Sequence, residues 1–463
     1  MKFFNRRDEQ NFLNNKWKEN KAQLLIIYGK RRVGKTELCI QFAKDKDHIY
    51  FHGEQIPDEM QLKRFSEQVG DFFDDKFVSE RGFRDWLQAF EYIANKKRKF
   101  VLIIDEFPYL VETNKGLPST LQKAWDTYLK KSPVFLLLSG SSIAMMEQAA
   151  LLYKAPLYGR RTGQYLVKPF QFSELDEMFG EKTFNDKLLI YSIAGGTVFY
   201  LNIFLEQKDI FKTVEKYILT KGEPLYDEVE FLLREELKEP RNYFAILQAL
   251  SLGKTRLSDV MSETGFDKGT ASRYLSILND LQLSRKEIAI TEKIPEKSRK
   301  GIYKIDDNFF NFWFRFVFKN KSLLEEGKPG EVVKKIKNAL PELLSINYER
   351  VAIEILKKEL ASDMKQPQFD QFGRWWDKDQ EIDIVALNLP SNEILFGEVK
   401  YTNRLVGVGV YAELKRKASK VIWGKENRKE HFCLFSKSGF SEEMIEIAKE
   451  ENVYLFLGDK ILS

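Results

Sequence analysis

The segment GKRRVGKT at residues 29–36 constrains this chain more than any other, because of what stands on each side of it. Before it, QLLIIY (residues 23–28) is a short apolar run, as expected of a strand buried on both faces of a parallel sheet. After it, a helical pattern begins at once with KTELCIQFAK. Strand, glycine loop and helix in that order make the G-x-x-x-x-G-K-[ST] pattern a phosphate cradle. Gly29 and Gly34 permit backbone angles that aim N–H groups at phosphates, and the helix N-terminus adds positive potential. Lys35 is expected to reach the β- and γ-phosphates, and Thr36 to ligate Mg2+. The residues expected around the nucleotide are Gly29, Lys30, Arg31, Arg32, Val33, Gly34, Lys35, Thr36 and Glu37.

Nucleotide hydrolysis also needs an acidic strand end. KFVLIIDEFPYL supplies one, an apolar strand over residues 100–104 that ends in Asp105 and Glu106. Asp105 is expected to hold Mg2+ through water, and Glu106 to orient the attacking water. A third apolar run, PVFLLLSGSS, ends in Ser139 and Ser141, which are either γ-phosphate sensors or a polar strand exit. HIYFHGE (residues 48–54) is a further strand candidate. Arg160 and Arg161, in LYGRRTG, fit two roles: stabilising transition-state charge or forming a solvated salt bridge. Strands alternating with helices imply an α/β fold with helices on both faces of a parallel sheet, and a ligand at the carboxyl ends of its strands.

From residue 236 the pattern changes. YFAILQALSLG, RLSDVMSETG and DKGTASRYLSILNDLQL read as three short helices separated by glycine turns, as in a helix-turn-helix module. SRKEIAITEKIPEKSRKGIYKID then alternates, turns at Pro295 and alternates again, like a two-stranded wing. If the module touches DNA, Lys268, Thr270, Ser272 and Arg273 start the reading helix, and Lys293, Lys297, Arg299 and Lys300 give the wing phosphate contacts. A lid or a protein-contact module is the alternative. FFNFWFRFVF (residues 309–318) reads as a buried strut between domains, with a nucleotide-stacking platform as the alternative.

EIDIVALNLPSNEILFGEVKY (residues 381–401) reads as a hairpin whose turn is LPSN. Its midpoint sets Asp383 opposite Glu398 on one face, with Lys400 two residues beyond. Two carboxylates ~5 Å apart repel by roughly 3 kcal/mol at an effective dielectric near 20. A divalent cation between them turns that repulsion into coordination, with Lys400 beside a bound water or a phosphate. A preceding helix, LLSINYERVAIEILKKEL, offers Glu349 or Glu354 as a further acid. The plainer reading is an exposed hairpin with Glu381 paired to Lys400. Trp375 and Trp376, just upstream, either stack on bases or wall the site.

The 463 residues divide into an expected nucleotide domain with a helical lid (1–235), a winged helix (236–305), an aromatic connector (306–335) and a C-terminal domain (336–463). A net charge of +5 is too mild to argue for nucleic acid by itself. Two distant cysteines, three scattered histidines and no bilayer-length apolar run point to a cytoplasmic protein without a zinc site or a membrane anchor.

Taken together, FFNRRDEQNFL, IYGKRRVGKTEL, VLIIDEFPYL, LSGSSIAMM, LYGRRTG, IDDNFFNFWFRFV, GRWWDKDQEIDIVAL and FGEVKY resemble the archaeal-type P-loop ATPase family. Those proteins join an AAA+/STAND-like ATPase to a winged helix and a C-terminal domain similar to PD-(D/E)XK restriction endonucleases. The resemblance implies ATP and Mg2+ as ligands, with Lys35, Thr36, Asp105 and Glu106 in their usual roles and Arg160 or Arg161 as sensor or finger. It implies Glu349, Asp383, Glu398 and Lys400 as a nuclease-like set, with Asp383 and Glu398 holding metal. The resulting expectation is an ATP hydrolase whose nucleotide state controls a DNA-directed nuclease-like domain, within a homo-oligomer. A regulatory switch or a DNA-binding regulator that never cuts is the alternative.

Overall fold

A computed structural model describes residues 3–295, 298, 300–362, 367–377, 380–425 and 427–462. Lys297 and Arg299 lie outside the described residues. The chain forms two compact units, Met1–Pro169 with Thr197–Phe199, and Phe170–Gly196 with Tyr200–Ser463. The division at Pro169 falls inside the stretch 1–235 expected as one domain. Among the described residues no helix is long and apolar enough to cross a membrane.

The first unit is built on a five-stranded sheet of order β2-β3-β4-β1-β5. Its strands are β1 (Gln23–Tyr28), β2 (His48–His52), β3 (Val101–Asp105), β4 (Phe135–Gly140) and β5 (Gly163–Leu166). Every pairing is parallel. Successive residues of the apolar strands feed opposite cores. Leu24, Ile26, Leu102, Ile104, Leu136 and Leu138 enter one cluster. Leu25, Ile27, Val101, Ile103, Phe135 and Leu137 enter the other. Both faces are therefore covered, which is why these strands read as unbroken apolar runs. β5 escaped that reading because its four residues are only partly buried or exposed.

In the second unit, helices Pro240–Ser251, Leu257–Thr264 and Lys268–Asp280 precede an antiparallel ribbon of β6 (Ser284–Glu287) and β7 (Ile302–Ile305). Phe309, Phe310, Phe312, Trp313, Phe314 and Phe316 are buried, and the Trp313 indole donates to the Tyr226 carbonyl at 2.7 Å. A helix over Pro329–Ser362, carrying Pro341 in its interior, leads to a mixed sheet of order β13-β12-β11-β10-β9-β8. These strands are β8 (Gln371–Asp377), β9 (Gln380–Asn388), β10 (Glu393–Lys400), β11 (Lys429–Ser436), β12 (Tyr454–Leu457) and β13 (Lys460–Ile461). β9 is antiparallel to both β8 and β10, whereas β10–β11 and β11–β12 are parallel. The β8–β9 ladder passes from Gly373↔Val385 to Trp375↔Ile382, so two residues of β8 span three of β9. Such a bulge re-aims the side chains beside it, and Asp383 lies within it.

Candidate functional site

The glycine loop leaves β1 and enters the helix Lys35–Ala43. Gly29 has φ +150°, and a Cβ there would lie 2.3 Å from the Val167 carbonyl oxygen. Gly34 caps the helix with φ +95°. Both positions therefore require glycine. Lys35 is buried, and its ammonium donates to the carbonyls of Gly29 and Lys30, each at 2.9 Å. The ammonium thus sits in the curl of the loop, where a phosphate can replace its carbonyl partners.

Thr36 Oγ1 donates to Asp105 Oδ2 at 2.7 Å, joining the start of the loop helix to the end of β3. The Tyr50 hydroxyl donates to the same oxygen at 2.8 Å, and His52 Nδ1 lies 3.9 Å from it. Burial pushes the Asp105 carboxyl up, but His52, Thr36 and Tyr50 outweigh it and hold the group well below the usual carboxylate range. An ionised carboxylate beside a hydroxyl is the hard-oxygen pair that Mg2+ takes, so these residues fit that ion.

Glu106 starts the next helix with φ +49°. Its Oε2 accepts from the Ser141 hydroxyl at 2.8 Å and from the Ser141 amide at 3.1 Å. Ser139 is fully buried, and its hydroxyl also helps hold the Asp105 carboxyl down. Arg31 donates to the Tyr109 hydroxyl at 2.8 Å, and Arg32 lies over the Phe199 ring at 4.2 Å. Val33 and Cys39 are buried beneath the loop, while Lys30 is partly exposed and Glu37 is on the exposed side of the helix.

Arg160 donates to Asp126 through Nε at 3.2 Å and Nη2 at 3.0 Å. Arg161 donates to the carbonyls of Ala150 and Leu151 and stacks 4.5 Å from the Tyr158 ring. The described bonds of both arginines thus go elsewhere than to the loop.

Sequence reasoning missed three side chains here. Arg6 is buried and donates to the Val33 carbonyl and the Lys168 carbonyl, each at 2.7 Å. It binds the underside of the loop to the chain leaving β5. Tyr50 and His52 reach Asp105 from β2, and the register His52↔Asp105 brings them there. HIYFHGE was legible as a strand, but its place beside β3 was not.

In the second unit, the β9–β10 ladder pairs Ile384 with Gly397, and the next residues outward are Asp383 and Glu398. Both are buried. Asp383 Oδ2 accepts from the Val399 amide at 2.9 Å. Burial, then the neighbouring Glu398, push the Asp383 carboxyl up to about 6. Glu349 comes from the Pro329–Ser362 helix. Burial and then Asp383 push it up to about 7, against the opposing charge of Arg374 at 3.3 Å.

Glu398 is paired twice, with Lys400 at 2.5 Å and with Lys417, from the helix Val408–Ala418, at 3.1 Å. Glu381 pairs with Arg374 at 3.0 Å and not with Lys400. Glu354 accepts the amides of Phe172 and Ser173, which separates it from this group. Among the described residues no group of three or more His, Cys, Asp or Glu is close enough to hold a metal. The carboxylates are the right donor type, but lysines occupy both oxygens of Glu398. A cation fits there only by displacing an ammonium.

Lys268 and Arg273 are exposed on the helix Lys268–Asp280, whose start is capped by Asp267. Thr270 is bonded to that cap and Ser272 is partly exposed.

The sequence matches the profile of an ATPase domain found predominantly in Archaea over residues 3–204. Residues 313–421 match a second profile, of archaeal and bacterial proteins of unknown function. The chain is 34% identical over 445 residues to the uncharacterized protein MJECL04 of Methanocaldococcus jannaschii, covering 95% of this chain and 97% of that one. It is 57% identical over 44 residues to the uncharacterized ATP-binding protein MJ0423 of the same organism, covering 10% of this chain and 75% of that one. The Walker-type ATPase paby2304 of Pyrococcus abyssi superposes with a TM-score of 0.51 at 22% identity, covering 68% of this chain and 96% of that one. That likeness speaks to fold, and it agrees with the parallel sheet and glycine loop described above. Near-complete coverage by the Methanocaldococcus relative, together with the domain match over the loop and both acidic residues, means that the chain belongs to the archaeal-type P-loop ATPase family.

Proposed function

We propose that this chain hydrolyses ATP with Mg2+ and that its nucleotide state governs a DNA-directed carboxylate–lysine site in the C-terminal unit. The observation that carries the first part is the Thr36–Asp105 hydrogen bond beside the buried Lys35 ammonium. Thr36 and Asp105 are the residues that would hold Mg2+, which neutralises charge on the β- and γ-phosphates when bound. Lys35 exchanges its loop carbonyls for phosphate oxygens. Glu106 orients the attacking water and takes its proton, with Ser141 fixing the carboxylate. Arg161 is the better candidate of the two arginines to answer to the γ-phosphate, because its described bonds go only to backbone carbonyls, whereas Arg160 is held by the Asp126 carboxylate. ATP as the nucleotide is supported by the name of the relative MJ0423.

Coupling is supported by the segment Thr197–Phe199. It groups with the first unit, while the chain on both sides of it groups with the second. Phe199 packs under Arg32 and donates its amide to the Arg32 carbonyl at 3.3 Å. A change in the loop on binding ATP is therefore felt by a segment continuous with the second unit.

The C-terminal set, Glu349, Asp383, Glu398 and Lys400, has the composition of a phosphodiester-cleaving site on a PD-(D/E)XK-like sheet, following a winged-helix module. Proton-poised Asp383 and Glu349 beside ion-paired Glu398 favour this reading over a plain exposed hairpin. The test is ATP turnover and cleavage of plasmid and single-stranded DNA, with and without Mg2+ and ATP, for the parent, Asp105→Ala and Glu398→Ala. Asp105→Ala is expected to lose ATP turnover. Glu398→Ala is expected to keep turnover and lose cleavage. DNA left intact by the parent under every condition removes the nuclease part and leaves the ATPase.

A further inference from the structure

Four cations of the second unit line one groove, and among the described residues none has an ion-pair partner. The groove encloses about 820 Å3 and is walled by residues 256–258, 291–293, 300–302 and 375–377. Its walls are fastened together. The Ile290 amide, three residues beyond β6, donates to the Arg374 carbonyl of β8 at 2.9 Å. Beside it, a Cβ on Gly373 would lie 3.2 Å from Ile290 Cβ. The chain leaving β6 is thus docked on β8, the edge strand of the C-terminal sheet.

The cations are Arg256, Lys293, Lys300 and Lys420. Against them stand two carboxylates, Glu292 and Asp377, which leaves the groove net positive. A larger cavity nearby, of about 980 Å3, also carries arginines, but those are spent. Arg285 is paired with Glu287 and Asp306, Arg315 with Glu342, and Arg374 with Glu349 and Glu381. Unpaired cations keep their attraction for an incoming anion, whereas paired ones have given it to a carboxylate.

Trp376 lines the same groove and is half-buried, with the more deeply buried Trp375 beside it. An indole face in a concave, basic surface offers stacking to a base that is free of its own partner strand. In a duplex the base faces are covered by their neighbours, so the indole has no free face to stack on.

We propose that this groove binds single-stranded nucleic acid, with phosphates on Arg256, Lys293, Lys300 and Lys420 and one base stacked on Trp376. Trp376 pairs with Glu381 in the β8–β9 ladder, two residues from Asp383 along β9. A strand leaving the groove along β9 therefore heads for the carboxylates. This deepens the DNA-directed reading of the C-terminal unit and rests on it for the fate of the strand, but not for its capture.

The test is fluorescence anisotropy of a labelled oligo(dT) titrated with the full chain in EDTA, so that capture is read without cleavage. Trp376→Ala is expected to weaken binding by roughly ten-fold, from the usual worth of one base stacked on an aromatic ring, and Trp376→Phe to restore most of it. Lys293→Ala with Lys420→Ala is expected to reduce the slope of log affinity against log salt by about 1.4, from about 0.7 per phosphate on single strands. Unchanged ATP turnover and an unchanged thermal melt identify folded variants. The proposal is overturned if the parent binds no single strand, if it binds duplex as tightly, or if folded variants bind like the parent. Capture without cleavage upholds the groove and removes the nuclease reading; cleavage without loss in the groove variants overturns the groove alone.

Discussion

Glu106 Oε2 accepts two hydrogen bonds from Ser141, one from the hydroxyl at 2.8 Å and one from the amide at 3.1 Å. The two residues immediately follow neighbouring strands, β3 and β4, so the acid is oriented from the sheet edge and not from the nucleotide. Ser141→Ala removes one of the two bonds. A hydrogen bond to a charged group contributes about 1.5–3 kcal/mol, so kcat for ATP is expected to fall by roughly ten-fold or more, with KM nearly constant. A raised KM at constant kcat contradicts this assignment.

Arg6 holds the Val33 carbonyl and the Lys168 carbonyl together. Without it the loop loses a buried brace under the residue before Gly34. Arg6→Ala is expected to raise KM for ATP about ten-fold, as lost preorganisation of the loop. Isothermal titration with a non-hydrolysable ATP analogue should show the same loss in affinity.

Lys417 pairs with Glu398 Oε2 at 3.1 Å, so in the proposed carboxylate–lysine site its ammonium stands where a cation would have to enter. Lys417→Met vacates that oxygen while Lys400 remains on the other. Mn2+ binding, measured by calorimetry in a Lys417→Met chain, is expected to exceed that of the parent. The gain should vanish in Lys417→Met with Glu398→Gln. A gain that survives the second change would place the extra cation elsewhere.

Glu349 is held up to about 7, chiefly by burial. Its native pKa lies above the unfolded value, so it contributes stability that is complete below about pH 4 and is lost as pH rises through 7. Asp383, raised to about 6, acts in the same direction. Thermal melts of the Glu349→Gln chain should therefore lose less stability than the parent between pH 5 and pH 8, on a scale of about 1–3 kcal/mol. Parallel pH profiles for the two proteins contradict the raised value.

Contiguity decided what could be read from the sequence. Gly29 to Thr36 lie in one run, and their strand and helix flank them, so local patterning was enough. Asp105 and Ser141 were visible because each ends an apolar strand. The Asp383–Glu398 adjacency followed from a short turn between two strands. Arg6, Tyr50 and Lys417 reach their targets from separate elements, and no periodicity states which strand or helix lies beside which. Arg160 and Arg161 show the converse: the residue type was visible, but their bonds to Asp126 and to the Ala150 and Leu151 carbonyls depend on packing. The long helix Pro329–Ser362 was only partly legible, because Pro341 interrupts its pattern without ending it.

Lys35, Thr36, Asp105 and Glu106 are proposed to form one ATP-hydrolysing centre. Its most direct test is steady-state ATP turnover in Mg2+ by the full chain and by Glu106→Gln, beside the ATP affinity of both. Loss of the catalytic base is expected to slow turnover by at least ~100-fold while ATP still binds. A Glu106→Gln chain that hydrolyses ATP at the parent's rate, or a parent that hydrolyses none, contradicts it.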